Sequence, residues 1–397
     1  MRGVVVARRN GRALLSSFRD SAVRAVAGKL RADLETNPNL WLGAAAVDEP
    51  TVSILAPARG YARVNGSGLH HDVATDFDAS TRVNGDHAEY LYTDKDLLAD
   101  PFQLVAGEMV SVTESIKRIL GSDHPVLSAV ARYFFEHDGG KKVRPTMVLL
   151  VSQAAEAHRR AIGATLPDMQ SEEFTFAAQQ RLAEITEMIH TASLLHDDVI
   201  DEADTRRGVP SVNKVFGDKL SILAGDFLLA RSSIYLARLR SLEAIELMST
   251  AIEHLVKGEV MQMKHADGSE ISPFEYYLRK NYYKTGSLMA NSCRAALALG
   301  KHDDHTCAMG FAYGRHIGLA FQEEFPVLKD LAARQFSKDG DIDLASELVD
   351  KSTGIERSKA LAIEQAELAC QAAMQYAPSP ARDALLRLAQ LVVFRSK

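Results

Sequence analysis

Charged residues are concentrated in the stretch "LLHDDVIDEADTRRGVPSVN", residues 194–213. Its first three aspartates, Asp197, Asp198 and Asp201, are followed by two adjacent arginines, Arg206 and Arg207. Two carboxylates four residues apart on a bare helix repel each other. Mg²⁺ reverses that repulsion, because it bridges one or two carboxylates to the phosphates of a substrate. With the arginines as forked donors to phosphate oxygens, the stretch predicts a Mg²⁺–phosphate site, and a solvated acidic turn is the alternative.

The residues before the aspartates have the period of a buried helix. Apolar residues recur in steps of three and four, at Leu182, Ile185, Met188, Ile189, Ala192, Leu195 and Val199. At about 100° per residue, Asp197 and Asp201 fall within about 20° of His190, and Asp198 lies about 80° away. The pattern therefore predicts one helix that presents a polar stripe on an otherwise buried surface.

Two other segments have side chains that can bind an anion. "GGKKVRP" combines glycines, which allow close backbone approach, with the cations Lys141, Lys142 and Arg144. A glycine turn before a helix that starts with proline explains this segment equally well. "YYKTGSLM" places Lys284 and Thr285 on a tyrosine-rich segment.

The composition limits the classes of protein to which the chain can belong. With 397 residues, 46% of them hydrophobic and 25% charged, it can form a globular protein with a sizeable core. The formal net charge of -6 argues against nucleic-acid binding. The three cysteines have no metal-ligand spacing. No apolar run approaches the roughly 20 residues of a membrane span, so we expect at most a peripheral contact with a membrane.

Three regions differ in composition along the chain. Residues 1–32 are rich in arginine and contain a single acid, Asp20, which is typical of an organellar transit peptide. A mitochondrial location is preferred to a plastid because arginine outweighs serine, and an ordinary basic helix is the alternative. Residues 33–98 have no sustained period and are predicted to be a loosely structured leader. Residues 99–397 are predicted to form one all-α domain that begins with Asp100 as an N-cap.

The order and approximate spacing of five segments resemble those of the trans-polyprenyl diphosphate synthases, above all the long-chain members such as solanesyl diphosphate synthases. The segments are "GGKKVRP", "MIHTASLLHDDVIDEADTRRG", "LAGDFLLA", "YYKTGSLM" and "LAFQ". The resemblance runs from about residue 99 to the C-terminus. It implies an all-α helical bundle around a deep central cavity. It also implies a prenyltransferase that joins isopentenyl diphosphate to an allylic diphosphate with Mg²⁺, making a quinone side-chain precursor.

The resemblance also implies roles for individual residues. Asp197, Asp198 and Asp201 correspond to the first aspartate-rich motif, which binds Mg²⁺ and, with Lys284, is catalytic. The isopentenyl diphosphate site corresponds to Lys141, Arg144, His190 and Arg207. The contacts of the allylic diphosphate correspond to Arg206, Lys284, Thr285 and Gln322. Small residues before the first aspartate, Ser193 and Ala192, imply long products, which Ala192→Phe is expected to shorten. A homodimer, or a heterodimer with a related synthase, is also implied.

One part of the family pattern is missing. Family members continue "FQ" into a second aspartate-rich motif, whereas here Gln322 is followed by "EEFPVLKD". Glu323 and Glu324 are out of register with the expected aspartates, and Pro326 disturbs the helix that would hold them. The sequence therefore predicts that this motif is deleted and that synthase activity is impaired.

Three other interpretations fit parts of the sequence. The dipeptide His196-Asp197 occurs in helical metal-dependent phosphohydrolases, but that class leaves the arginine pair and "GGKKVRP" unexplained. The boxes S-x-x-K and K-T-G of penicillin-recognising enzymes are present, but the S-D-N box is missing. A non-catalytic subunit that pairs with an active synthase is the alternative that keeps the same fold.

Overall fold

Helices make up nearly all of the chain that the structure describes. The structure is a computed structural model, and it describes residues 98–120, 130, 133–135, 140, 142–165, 172–263, 273–321 and 354–394. All of these lie within one unit, Leu69–Lys397. The predicted transit peptide and all but the last residue of the predicted leader lie outside the described residues. Lys141, Gln322 and the segment with the predicted deletion also lie outside them.

The helices are numbered here in chain order. They are α1 Pro101–Leu104, α2 Ala106–Leu120, α3 Val143–Ala161, α4 Glu172–Ile200, α5 Val212–Phe216, α6 Asp218–Arg238, α7 Leu242–Met263, α8 Pro273–Asn281, α9 Ser287–Leu299, α10 Asp304–Ala320, α11 Gly354–Met374 and α12 Pro380–Val393. A π-helical turn, Tyr282–Gly286, joins α8 to α9. Two short antiparallel strands, β1 Thr205–Arg206 and β2 Val209–Pro210, follow α4.

The predicted N-cap at Asp100 is confirmed. Its carboxylate accepts hydrogen bonds from the backbone N–H groups of Phe102 and Gln103, at 2.9 and 3.0 Å, and Pro101 occupies the first helical turn. The first helix is short, because Val105 leaves the helical conformation and α2 begins at the next residue.

The central helix of the described bundle is α9, which packs against α3, α4, α7 and α10. Almost all of its residues are buried, and many of them are alanine, serine or cysteine, whose small side chains let neighbouring helices approach closely. Helix α10 comes especially close to α9 at Gly314, where a Cβ would lie 2.6 Å from the carbonyl oxygen of Met289. The predicted all-α bundle is therefore the observed architecture.

The apolar face predicted before the aspartates is the buried face of α4. Leu182, Ile185, Met188, Ile189, Ala192 and Leu195 are all fully buried. The helix ends at Ile200, so Asp201 is the first residue after it, although its N–H still donates to the carbonyl of Asp197 at 2.8 Å.

The strands β1 and β2 form a hairpin with a two-residue turn, which was not predicted from the sequence. Its central residues, Arg207 and Gly208, have φ angles of 53° and 81°. Turns of this kind need positive φ at both positions, because only then does the turn twist match that of the strands. The hairpin folds the arginine pair back toward the end of α4, as the bonds between Arg206 and Asp198 show.

One described helix, α6, has the length and hydropathy of a membrane span, although the sequence analysis found no such run. It contains Asp226 and Arg231, and a third of the residues in its most apolar stretch are buried. Length and hydropathy alone are weak evidence for a span, because core helices of soluble proteins share both properties.

Candidate active site

A cluster of cations surrounds His190 at the inner face of α4. The side chain of Arg144, at the start of α3, donates a hydrogen bond from Nη1 to His190 Nε2 at 2.9 Å. Burial, followed by the charges of Arg144, Arg206 and Arg207, holds the pKa of His190 well below its usual value. His190 is therefore a neutral hydrogen-bond acceptor within a group of positive charges.

The hairpin and the "GGKKVRP" segment meet at this cluster. A Cβ at Gly140 would lie 2.4 Å from Nη1 of Arg207, so the guanidinium packs directly on the glycine backbone. Burial, together with the positive charge of Arg207, lowers the pKa of Arg144, although Glu187 opposes this. The Nε of Arg144 is buried and has no hydrogen-bond partner among the described residues. Crowded cations with an unused buried donor fit an anionic ligand such as a diphosphate.

The carboxylate of Asp198, the middle aspartate of the motif, is paired with an arginine of the hairpin. This carboxylate is almost fully buried and accepts from Nε and Nη2 of Arg206 at 2.8 and 2.7 Å. The side-chain amide of Asn213, in α5, also donates to the backbone carbonyl of Asp198 at 3.2 Å. In this conformation Asp198 fixes the hairpin to α4. Two N–H donors of Arg206 are bound to the carboxylate of Asp198. The family resemblance implies instead that Asp198 binds metal and that Arg206 binds substrate.

Asp197 carries a charge that its surroundings only partly compensate. Burial is the largest effect on this carboxyl group, and the negative charges of Glu259 and Asp201 add to it. Lys284 opposes them, but the pKa of Asp197 is still raised to about 6. The distance from Lys284 Nζ to Asp197 Oδ2 is 3.9 Å. A further cation at Asp197 would therefore be stabilised.

Lys284 lies on the π-helical turn, a distortion that is often found at functional sites. Its Nζ is 2.8 Å from Oε2 of Glu259 and donates to Oε1 of Gln262 at 2.8 Å. Neither residue of α7 is among the site residues predicted from the sequence. A glutamate and a glutamine three positions apart in the apolar segment "GEVMQM" were the signal that could have indicated them. Thr285, the next residue after Lys284, is buried.

An apolar cavity of about 220 Å³ lies between α4, α6 and α7, with Asp197 in its wall. Other lining residues include Ile189, Ser193, Leu229, Ile252, Leu255 and Val256. Of the two small residues singled out in the sequence, Ser193 lines the cavity. Ala192 is instead fully buried in the core. The cavity can therefore hold an aliphatic tail whose polar head lies at Asp197.

The carboxylates fit Mg²⁺ bound together with a substrate. Among the described residues, no group of three His, Cys, Asp or Glu side chains forms a metal cage by itself. Mg²⁺ retains water and usually binds through one or two carboxylates plus substrate phosphates, so a complete protein cage is not required. Asp197, with its uncompensated charge, and Asp201, which is exposed, are suitable ligands.

Comparison with known proteins decides the family. The family model described as polyprenyl synthetase matches residues 124–324, about half of the chain. The chain belongs to the polyprenyl synthetase family.

The similar proteins of this family include eukaryotic and cyanobacterial members. A probable mitochondrial hexaprenyl pyrophosphate synthase from Neurospora crassa is 39% identical and aligned over 75% of this chain and 82% of its own length. A prenyl transferase from Synechocystis is 41% identical over 330 residues, which cover 74% of this chain and 97% of that protein.

A solved structure of the polyprenyl synthase from Caulobacter crescentus, complexed with calcium and isoprenyl diphosphate, superposes with a TM-score of 0.65. It is 26% identical and covers 78% of this chain and 98% of the solved one. Membership of the polyprenyl synthetase family confirms the predicted fold class and the predicted class of enzyme, a transferase of prenyl groups. The mitochondrial relative agrees with the predicted location.

Proposed function

We propose that this polyprenyl synthetase binds isopentenyl diphosphate and an allylic diphosphate in order to make a long-chain all-trans polyprenyl diphosphate in mitochondria. The observation that carries the proposal is Asp197, whose pKa is raised to about 6 at the edge of an apolar cavity. This arrangement combines a site for metal and diphosphate with an apolar space for an isoprenoid tail. The Caulobacter relative was solved with a metal ion and isoprenyl diphosphate, which supports the assignment.

The residues divide between two diphosphate sites. Arg144, His190 and Arg207, together with Lys141, bind isopentenyl diphosphate. Lys284 and Thr285, with Arg206 and Gln322, bind the allylic diphosphate. The first aspartate-rich motif, Asp197, Asp198 and Asp201, binds Mg²⁺, with Asp198 held in place by Arg206. Bound metal and cations would stabilise the negative charge that develops on the leaving diphosphate.

Activity of this chain is impaired by the deletion of the second aspartate-rich motif. The alignment with the Synechocystis protein supports a deletion. It is 330 positions long but includes 74% of the 397 residues of this chain, or about 294. About 36 of the aligned positions are therefore gaps in this chain. Carboxylates from the opposite side of the cavity would then be missing. Each 1.36 kcal/mol of lost transition-state stabilisation lowers the rate about tenfold. We therefore expect diphosphate binding without efficient turnover.

An exposed apolar face supports a dimer. Leu223 and Ile234 of α6 are 53% and 45% exposed. They are eleven positions apart, which places them within about 20° on one helix face. An apolar face of this kind is typical of a surface that a partner covers. The partner is a second copy or a related synthase. The missing motif favours a second candidate function, a non-catalytic subunit in such a heterodimer.

Calorimetric titration with farnesyl diphosphate tests the binding site. We expect binding to depend on Mg²⁺ and to be strongly weakened by Asp197→Ala and by Asp201→Ala. Asp204→Ala, three residues beyond Asp201, is the matched control, because this exposed aspartate pairs with Lys214 on the surface. Equal affinity with and without Mg²⁺ would refute the proposed site.

Turnover of farnesyl and isopentenyl diphosphate tests the deletion. We expect a version with the second motif restored to be faster by several orders of magnitude than the chain as it stands. Equal rates would mean that other groups replace the motif. Mixing the chain with a complete homologue tests the second candidate, since a regulatory subunit would change the rate or product length of its partner.

A further inference from the structure

Lys284 is held by side chains of a helix that has no assigned role in the family pattern quoted above. Glu259 and Gln262 of α7 each place an oxygen 2.8 Å from its Nζ. They lie three positions apart on one helix face, and Lys284 lies on the π-helical turn that packs against it. Two acceptors on one rigid helix thus determine where the ammonium group lies.

The backbone contact between the two elements has the same effect. A Cβ at Gly258 would lie 2.8 Å from the backbone nitrogen of Lys284 and 3.1 Å from its Cα. Only glycine allows the π-helical turn to approach α7 this closely. The Cα of Lys284 is therefore held close to Gly258, the residue before Glu259.

A count of donors shows what this arrangement leaves for a ligand. An ammonium group has three N–H donors. Glu259 and Gln262 accept two of them, and Asp197, at 3.9 Å, is beyond hydrogen-bonding distance. One donor therefore remains beside the carboxylate that the proposed function assigns to metal and diphosphate.

We propose that Glu259 and Gln262 are positioning residues, which fix the Lys284 ammonium so that its third donor binds the allylic diphosphate. This inference rests on the proposed function, because it takes Lys284 as a diphosphate ligand. The other oxygen of Glu259 is buried and has no hydrogen-bond partner among the described residues. Direct binding of metal by that oxygen is the competing explanation, and the experiment separates the two.

The experiment measures the affinity of the full-length chain for farnesyl diphosphate with Mg²⁺ by calorimetry. It compares Glu259→Gln with Glu259→Ala. Both remove the negative charge, but only Gln keeps an oxygen that can accept from Lys284. Fixing a long side chain gives about a two- to tenfold difference in affinity, so we expect Glu259→Ala to bind that much more weakly than Glu259→Gln. The same pair of changes at Glu253, an exposed residue of α7, is the matched control and should show no difference.

Repeating the pair in a Lys284→Ala background shows whether Glu259 acts through Lys284. We expect the difference between the Gln and Ala variants to vanish there, since a positioning residue has nothing left to position. A difference that persists without Lys284 would overturn the inference and would leave the proposed function intact. If Lys284→Ala alone bound as tightly as the original chain, the role of Lys284 in the proposed function would fail, and the inference with it.

Gln262→Met provides a second variant in case Glu259→Ala does not fold. It removes one acceptor of Lys284 without a change of charge and with little change of volume. Weaker binding that disappears in the Lys284→Ala background is expected. Unchanged binding in a variant with an unchanged circular dichroism spectrum would overturn the role of Gln262.

Discussion

Asp197 has a carboxyl group that the ligand-free protein holds at an energetic cost. Burial, with the nearby charges of Glu259 and Asp201, raises its pKa to about 6 even though Lys284 is close. A carboxylate that is destabilised in this way gains more from a cation than an exposed one does. The cost in stability is therefore linked directly to the binding of metal and diphosphate.

Asp197→Asn should stabilise the ligand-free protein at neutral pH. Because the folded-state pKa lies above the usual value, the folded state binds the proton more tightly, and stability falls as pH rises from about 4 to 6. Above that range the ionised group costs about 3 kcal/mol, and asparagine removes this cost. Thermal unfolding at pH 7.5 should show a higher melting temperature for Asp197→Asn. Asp204→Asn should show no change, and an equal rise in both variants would contradict the explanation.

The two small residues before the aspartates have different surroundings. Ser193 lines the cavity, so Ser193→Phe should weaken binding of geranylgeranyl diphosphate more than binding of a shorter allylic diphosphate. Ala192 is fully buried in the core, where extra volume typically costs about 1–3 kcal/mol. We therefore expect Ala192→Phe to lower the melting temperature instead of selecting tail length. Calorimetry with both ligands and thermal unfolding of both variants check this, and a selective tail effect of Ala192→Phe alone would contradict it.

At the scale of elements, the site depends on contacts between helices that are distant in sequence. The hairpin of β1 and β2 fixes Asp198 through Arg206, while α7 fixes Lys284. The π-helical turn that carries Lys284 packs against α7, α9 and α10. The two ends of the candidate site are thus built on separate rigid supports.

Gly258→Ala should destabilise the contact between α7 and the π-helical turn. The added methyl group would meet the backbone of Lys284 at 2.8 Å, so one element must shift. We expect a loss of about 1–3 kcal/mol in stability, measured by denaturant unfolding, together with weaker diphosphate binding. Gly107→Ala is the control, because a Cβ at this position of α2 has no neighbour within 4 Å. There the added methyl group meets no neighbour, so the stability should not fall. Equal stability changes in the two variants would rule out the contact as the cause.

At the scale of the whole molecule, the exposed face of α6 should control assembly. Leu223→Asp combined with Ile234→Asp places two charges on the apolar surface, which should dissociate a dimer because buried charges without partners are costly. Light scattering after size-exclusion chromatography should then give the mass of one chain. Ile162→Asp, at a 61% exposed position after α3, should leave the assembly unchanged. A monomer for the unchanged chain, or a dimer for the double variant, would show that this face is not the interface.

Local patterns in the sequence determined much of this protein. The N-cap at Asp100 and the buried face of α4 depend on neighbours within one or two helical turns, so spacing alone predicted them. The aspartate and arginine stretch likewise predicted a metal and phosphate site before any packing was known. These features could be read from the sequence because helix periodicity and capping are short-range effects.

Only the tertiary structure decided how the site residues are used. It turned Asp198 toward Arg206, because a tight turn with positive φ at Arg207 and Gly208 reverses the chain there. It placed Glu259 beside Lys284, 25 positions later, through the packing of α7 against a π-helical turn. Such pairs join residues far apart in the chain, and no periodicity within one helix specifies which face of another helix they will meet. The physical reason is that helix packing is set by the shapes of whole surfaces, including glycines such as Gly258 that permit close approach.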